Sequence, residues 1–401
     1  MRDSASGSTE KRKRDFSIFV LSMMRTNLSS LFLVFLLFQL PATGQDQHNR
    51  APGKQENIVR DAHWELEVAP DSSIDWQTEC DLLLEELAKT HPDLFFMKEK
   101  DLFSIELDAI ASHSEGQPPF PVAVKLQQAV AGLGDAQTRI NYHYLIDPKL
   151  ILPLECYWFE EGIYVLKTLD QYRSLLGKRI VAVNDTPVER VIDSLSTLIP
   201  PGNPSLVREQ VPRMITSSQL LQHFGFCEME QLVLTAAEGP GERVSVTLSL
   251  PAGDDSFAEF RSGRIPLGWE DRITFFRDRY FPGEGLYYIQ YNKCWSREAE
   301  EQFGSGASAL FMPLFADFEK KALRTLRQKE VNTLVFDLRF NDGGNTLQGS
   351  EFIRKLSKKK YTGRTAVYVA VGRGTTAEAM VHAVELADLA SAVTVGEPTG
   401  G

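Results

Sequence analysis

Between residues 285 and 396 apolar strand-like runs alternate with amphipathic helical stretches, and this pattern constrains the fold more than any other feature of the chain. GLYYIQYNKC at 285–294 reads as a strand and 296–327 as a helix. VNTLVFDLRF at 331–340 then reads as a continuous apolar strand of the kind covered on both faces. Gly343 and Gly344 follow, then a helix over 347–356, the strand TAVYVAV, a helix over 376–389 and the strand AVTVG. Strands joined through helices of this length run parallel, so residues 265–401 predict a layered α/β domain with a largely parallel sheet. Residue 401 follows directly on the last strand, so this domain is expected to be incomplete at its C-terminus.

Upstream, the texture changes twice. Residues 64–150 form a helical region, with Leu83, Leu84 and Leu87, then Phe103, Leu107 and Ile110, then Val122, Leu126 and Val130 at helical spacing. Residues 151–255 are β-rich, with strand runs YWFEEGIYVLKT, KRIVAVND and RVSVTLSL and two helical stretches near 187–198 and 217–223. At the start, Arg25 precedes the apolar run LFLVFLLFQL at 31–40, and Ala42 and Gly44 are small residues suited to cleavage. The run falls short of the ~20 residues a membrane span needs, so 1–44 reads as a signal peptide and 45–63 as a polar linker. A secreted or periplasmic location follows as an expectation, with stable membrane insertion after cleavage excluded.

Composition narrows the partners. Residues 45–401 carry 37 Lys and Arg against 51 Asp and Glu, so a phosphate-binding surface, and with it nucleic acid, is a poor fit. There is no Cys/His metal spacing, and no cofactor is expected. Cys80, Cys156, Cys227 and Cys294 allow three pairings, but their scatter favours free thiols.

Three local patterns then occur in a fixed order. They are LGDAQT at 133–138, YRSLLGKRIVAVNDTPVERVI at 172–192, and the set VFDLRFNDGGN, VGRGTTAEAMVHAVEL and VGEPTGG from 335 to 401. Together they resemble the tail-specific protease (C-terminal processing peptidase) family, tricorn-like branch: its L-x-D-x-H-T stretch, part of its PDZ module, and its D-x-R-x-N-x-G-G, T-x-S-S-A and G-E-x-T-G-G motifs. The resemblance implies a Clp protease/crotonase-like α/β domain preceded by the helical region and a PDZ-like domain. It also implies peptide-bond hydrolysis on peptide or unfolded-protein substrates.

The departures fall on the chemistry. The resemblance puts the nucleophile at Ala377 and the base at Gln137, while a branch with a lysine base would place it at Gly401. A methyl group cannot attack a carbonyl, and a neutral amide cannot take a proton. The backbone N–H groups of Gly343 or Gly344 and of Glu378 match the family's oxyanion hole. Glu378 also suits a helix first turn, and its i,i+4 spacing to His382 predicts a contact between the two. Thr375, Thr376, Cys294, His143 and His382 are the substitutes to weigh, with His143 expected on a strand through TRINYHYLI. Asp337 and Arg339 read as a charged pair supporting the glycine loop. Trp158, Phe159 and Tyr164 line either a peptide groove or a core. A degenerate, peptide-binding peptidase is the leading reading. The alternatives are an active serine peptidase with other working residues, and a non-catalytic scaffold subunit.

Overall fold

The computed structural model describes residues 74–228, 231–239, 241–250, 256–260, 263 and 265–401. The expected signal peptide, the linker and the start of folded structure near Trp64 lie outside the described residues.

Three helices come first: α1 (Trp76–Thr90), α2 (Lys100–Ser112) and α3 (Pro119–Ala131). The Asp75 carboxylate caps α1 by accepting the N–H groups of Gln77 and Thr78, and proline opens α3 where its missing N–H costs nothing. Leu83 and Leu87, Phe103 and Leu107, and Val122, Leu126 and Val130 are buried, as their spacing predicts. TRINYHYLI is not a strand: Tyr142–Leu145 is a 3₁₀ turn that leaves His143 exposed. Its backbone is satisfied locally, since the Ile140 N–H donates to Gln127 Oε1 (2.7 Å) and the N–H groups of Tyr144 and Ile146 close turn bonds. No ladder partner is needed.

The β-rich region builds an antiparallel sheet from β1 (Leu154–Phe159), β2 (Gly162–Leu169), β3 (Arg179–Val183), β4 (Thr186–Pro187), β5 (Leu232–Ala237), β6 (Arg243–Leu248) and β7 (Phe257–Glu259). The strand order is β1-β2-β3-β5-β6, with β4 on β3 and β7 on β2. Between β4 and β5 lie α4 (Val188–Ser196), α5 (Pro204–Met214) and α6 (Ser218–His223).

The third region is the layered α/β unit. It contains β8 (Phe276–Phe281), β9 (Leu286–Tyr291), α7 (Arg297–Phe303), α8 (Phe315–Gln328), β10 (Thr333–Asp337), α9 (Thr346–Leu356), α10 (Lys359–Thr362), β11 (Ala366–Val371), α11 (Glu378–Ala390) and β12 (Val393–Gly396). The sheet order is β12-β11-β10-β9-β8; β9 to β12 run parallel and β8 pairs antiparallel to β9. Tyr287, Ile289, Leu334, Phe336 and Val369 of the strands pack with Phe352, Leu356 and Leu386 of the helices in one core. The helix expected over 296–327 is two helices, because the stretch between them holds Gly304, Gly306 at φ +74° and Pro313. Among the described residues no helix is long and apolar enough to cross a membrane.

Candidate functional site

The site lies where β10 and β11 end, at the carboxyl edge of the parallel sheet, the place where open α/β sheets bind ligands. The loop after β10 is held by Asn341, which is fully buried. Its Oδ1 accepts the Gly343 N–H (3.0 Å) and the Cys294 thiol (3.3 Å), and its Nδ2 donates to the Tyr291 carbonyl (2.8 Å). Gly343 has φ +103° and Gly344 φ +134°, and a Cβ on Gly343 would fall 2.8 Å from the Ala377 methyl. Backbone conformation and close approach both require glycine there. Asn341 was visible in sequence only as one letter of the D-x-R-x-N-x-G-G likeness. Its role as the pin of the loop comes from the geometry.

Ala377 sits at the mouth of α11 with φ +51° and ψ −127°, a conformation that residues with a side chain rarely adopt. Its N–H donates to the Gly401 carbonyl (2.8 Å) and its carbonyl accepts from Met380 (3.0 Å). The turn is therefore bonded on both sides, and it places the methyl group against the glycine loop. This is the shape of a strained elbow that presents a side chain from a helix start.

The N–H groups expected to form an open oxyanion hole are largely taken. That of Gly343 goes to Asn341, and that of Gly344 donates to Glu378 Oε2 (2.8 Å). Among these donors the Glu378 N–H finds no acceptor among the described residues. Glu378 thus contributes a carboxylate that fills the space in front of Gly344, a role its place in the helix first turn did not reveal. Its expected contact with His382 is replaced: His382 Nδ1 lies 3.2 Å from Glu385 Oε2, which also accepts from the Ser350 hydroxyl (2.8 Å). The His382 ring is fully buried against Gly349, on the side of α11 facing α9.

The helical region reaches the same place through residues 133–138. Asp135 organises this turn: it accepts the Gln137 N–H (3.1 Å) and the Thr138 hydroxyl (2.5 Å), and lies 3.2 Å from His91 Nε2. Burial alone would push the Asp135 carboxyl up, but these donors outweigh it and hold it below the usual range. A Cβ on Gly401 would lie 3.6 Å from the Ala136 Cβ. Gly401 in turn accepts the Ala377 N–H, so Gln137 is one residue removed from a segment bonded to the elbow. Its side-chain amide makes no hydrogen bond among the described residues.

None of the weighed substitutes is set up as a nucleophile. The Thr375 hydroxyl donates to the Leu338 carbonyl (2.7 Å) and accepts the Gly372 N–H. Thr376 Oγ1 is buried with no hydrogen-bond partner among the described residues, so none of them is placed to take its proton. Burial drives the Cys294 thiol far above the ordinary range, against a smaller opposing effect of Asn341. All four cysteines are free thiols. Arg339 grips Asp337 through Nε (3.0 Å) and Nη2 (2.7 Å), and the Tyr288 hydroxyl donates to the same carboxylate (2.5 Å). This pair braces the end of β10.

Trp158, Phe159 and Tyr164 lie on the β1–β2 hairpin, where Phe159 packs edge-on to Tyr157 and Tyr164. The Trp158 carbonyl accepts from Arg373, whose guanidinium also stacks 4.8 Å from the Tyr157 ring and clamps Glu397 through two bonds (3.0 and 2.9 Å). Part of the edge of β1 is therefore already bonded to the loop that carries Ala377.

No family profile matches the chain, and no curated protein does. Solved structures do. A point mutant of CPAF is 13% identical over 82% of this chain and 84% of that one, with a TM-score of 0.54. Mature CPAF complexed with lactacystin is 12% identical over 82% and 85%, with a TM-score of 0.52. The photosystem II D1 C-terminal processing protease is 16% identical over 80% and 82%, at a TM-score of 0.34. Over about four-fifths of its length, 82%, the chain shares the fold of CPAF.

Proposed function

We propose that this chain is a catalytically silent, exported relative of the tail-specific proteases, which holds extended polypeptide in the family's cleft without cutting it. The observation that carries the reading is Ala377. The elbow keeps its strained backbone, its place at the start of α11 and its contact with Gly343, yet presents a methyl group. A hydroxyl at that point would be the nucleophile; without it no acyl intermediate forms. Two further features agree: Gln137 stands where the family resemblance puts the base, and the Glu378 carboxylate already accepts the N–H of Gly344. An anionic side chain there would repel the developing negative charge of a tetrahedral intermediate.

Support for an exported location is the apolar run at 31–40 followed by small residues. The β-rich region, read as PDZ-like, would contribute to polypeptide binding. The test is to mix the purified chain with a permanently unfolded polypeptide, such as reduced and carboxymethylated lactalbumin. Co-elution on gel filtration with the polypeptide intact by mass spectrometry is expected. Fragments accumulating with time, or no co-elution at 100 µM, would overturn the reading.

A further inference from the structure

The outer face of the antiparallel sheet carries a groove that the Ala377 cleft does not use. It has a volume of about 580 Å³ and is floored by Ala182 of β3, Thr235 of β5 and Ser245 of β6. Ala182 pairs with Thr235, Thr235 pairs with Ser245, and the two hydroxyls are 2.9 Å apart. Arg179 and Arg243 stand at one end: both are register partners of Ala237, so the three residues form one row across three strands. Alternation then directs both arginines to the same face, on either side of a small residue. Asp185 and Glu189 line the other end.

None of these four charged groups has an ion-pair partner among the described residues. The two signs are also kept apart. Asn184, which precedes Asp185, is bonded to Val233, and Val233 is four residues along β5 from Ala237. At a strand rise of ~3.3 Å per residue the backbone rows that carry the two ends stand ~13 Å apart, and no ion pair joins them among the described residues. A concave, hydroxyl-floored surface with two cations at one end and two anions at the other is complementary to an extended, convex ligand of opposite polarity.

We infer that this groove binds an extended peptide segment with an acidic side chain at one end and a basic side chain four residues away. The acidic group would meet Arg179 and Arg243, where guanidinium forks suit a carboxylate. The basic group would meet Asp185 and Glu189, and the peptide backbone would lie over Thr235 and Ser245. This inference rests on the proposed role of the β-rich region in polypeptide binding, but the groove shares no residue with the Ala377 cleft, so peptides altered at one charged end report on the groove alone.

The probe is the fluorescein-labelled peptide Asp-Ser-Ala-Ser-Lys, blocked at both ends and titrated with the full chain in low salt by fluorescence anisotropy. Saturable binding is expected, weakened threefold to tenfold when the peptide's Asp becomes Asn or its Lys becomes norleucine. Arg243→Gln should weaken the parent peptide to the level of the Asn peptide and leave binding of that Asn peptide unchanged. Glu189→Gln should do the same for the norleucine end, and both substitutions are at exposed positions that leave the core intact. Absence of binding at 1 mM chain, or equal affinity for all three peptides, would overturn the inference. So would losses from Arg243→Gln and Glu189→Gln that do not track opposite ends of the peptide.

Discussion

Replacing Ala377 by glycine should leave the protein as stable or make it more stable, the reverse of the usual effect of that change. At φ +51° and ψ −127° a residue with a Cβ carries ~1–3 kcal/mol of backbone strain, which glycine does not. Against this stand ~0.5–1 kcal/mol of extra unfolded-state entropy and less than ~0.8 kcal/mol for one half-buried methyl group. The balance runs from about −0.8 to about +2.5 kcal/mol and centres near ~1 kcal/mol in favour of the glycine variant. Ala322, fully buried in the interior of α8, supplies the contrast: there the strain is absent, and Ala322→Gly should cost ~1–2 kcal/mol. Urea unfolding followed by circular dichroism gives both midpoints. Ala377→Val should lower stability by ~2 kcal/mol or more, since a branched side chain tolerates this conformation least. A loss from Ala377→Gly as large as that from Ala322→Gly would refute the claim that the elbow is strained.

Glu378→Ala should expose the Gly344 N–H and speed its hydrogen exchange by ~10-fold to 100-fold, as expected for losing one charge-assisted bond; an unchanged rate would place the carboxylate elsewhere in solution. Acid should loosen the site. Burial pushes the Asp135 and Glu397 carboxyls up, but their hydrogen bonds, with Arg373 the chief partner of Glu397, bring both below their ordinary values. Their contribution is complete above pH ~4.5 and is lost as pH falls through the folded values, so proteolytic nicking near residues 133–138 should rise only below pH ~4. Burial raises the Cys80 thiol to about 12 and Cys294 still further, so iodoacetamide at pH 8 should modify neither in the native protein; rapid labelling of Cys294 would show it to be exposed and reactive.

The parallel core was legible because Leu334, Phe336, Val367 and Val369 form runs that only a strand covered on both faces can bury. The edge strand β8 was not legible. FRDRYF sets three consecutive charged residues between aromatic rings and resembles loop sequence until β9 supplies its partner. Helix α5 hid behind Pro204 and Pro212; Pro204 is in fact a favourable first residue, following the Asn203 cap. At the site, the identities at positions 137, 377 and 378 were readable from motif likeness. What was not readable is where hydrogen bonds go. Asn341 taking the Gly343 N–H, Glu378 taking that of Gly344, and His382 choosing Glu385 over Glu378 are all set by backbone path and helix packing.

Peptidase activity of the unmodified chain, measured beside the Ala377→Ser and Gln137→His double variant on the same unfolded substrate, tests the account most directly. The unmodified chain should show no cleavage, and Ala377→Ser alone should stay inert because its hydroxyl would lack a base. Loss of a nucleophile costs on the order of 10⁶ in turnover, and loss of the base adds little beyond it, so any recovery belongs to the double variant. Robust hydrolysis by the unmodified chain, abolished by Thr376→Val or Cys294→Ala, would contradict the account and name a different nucleophile.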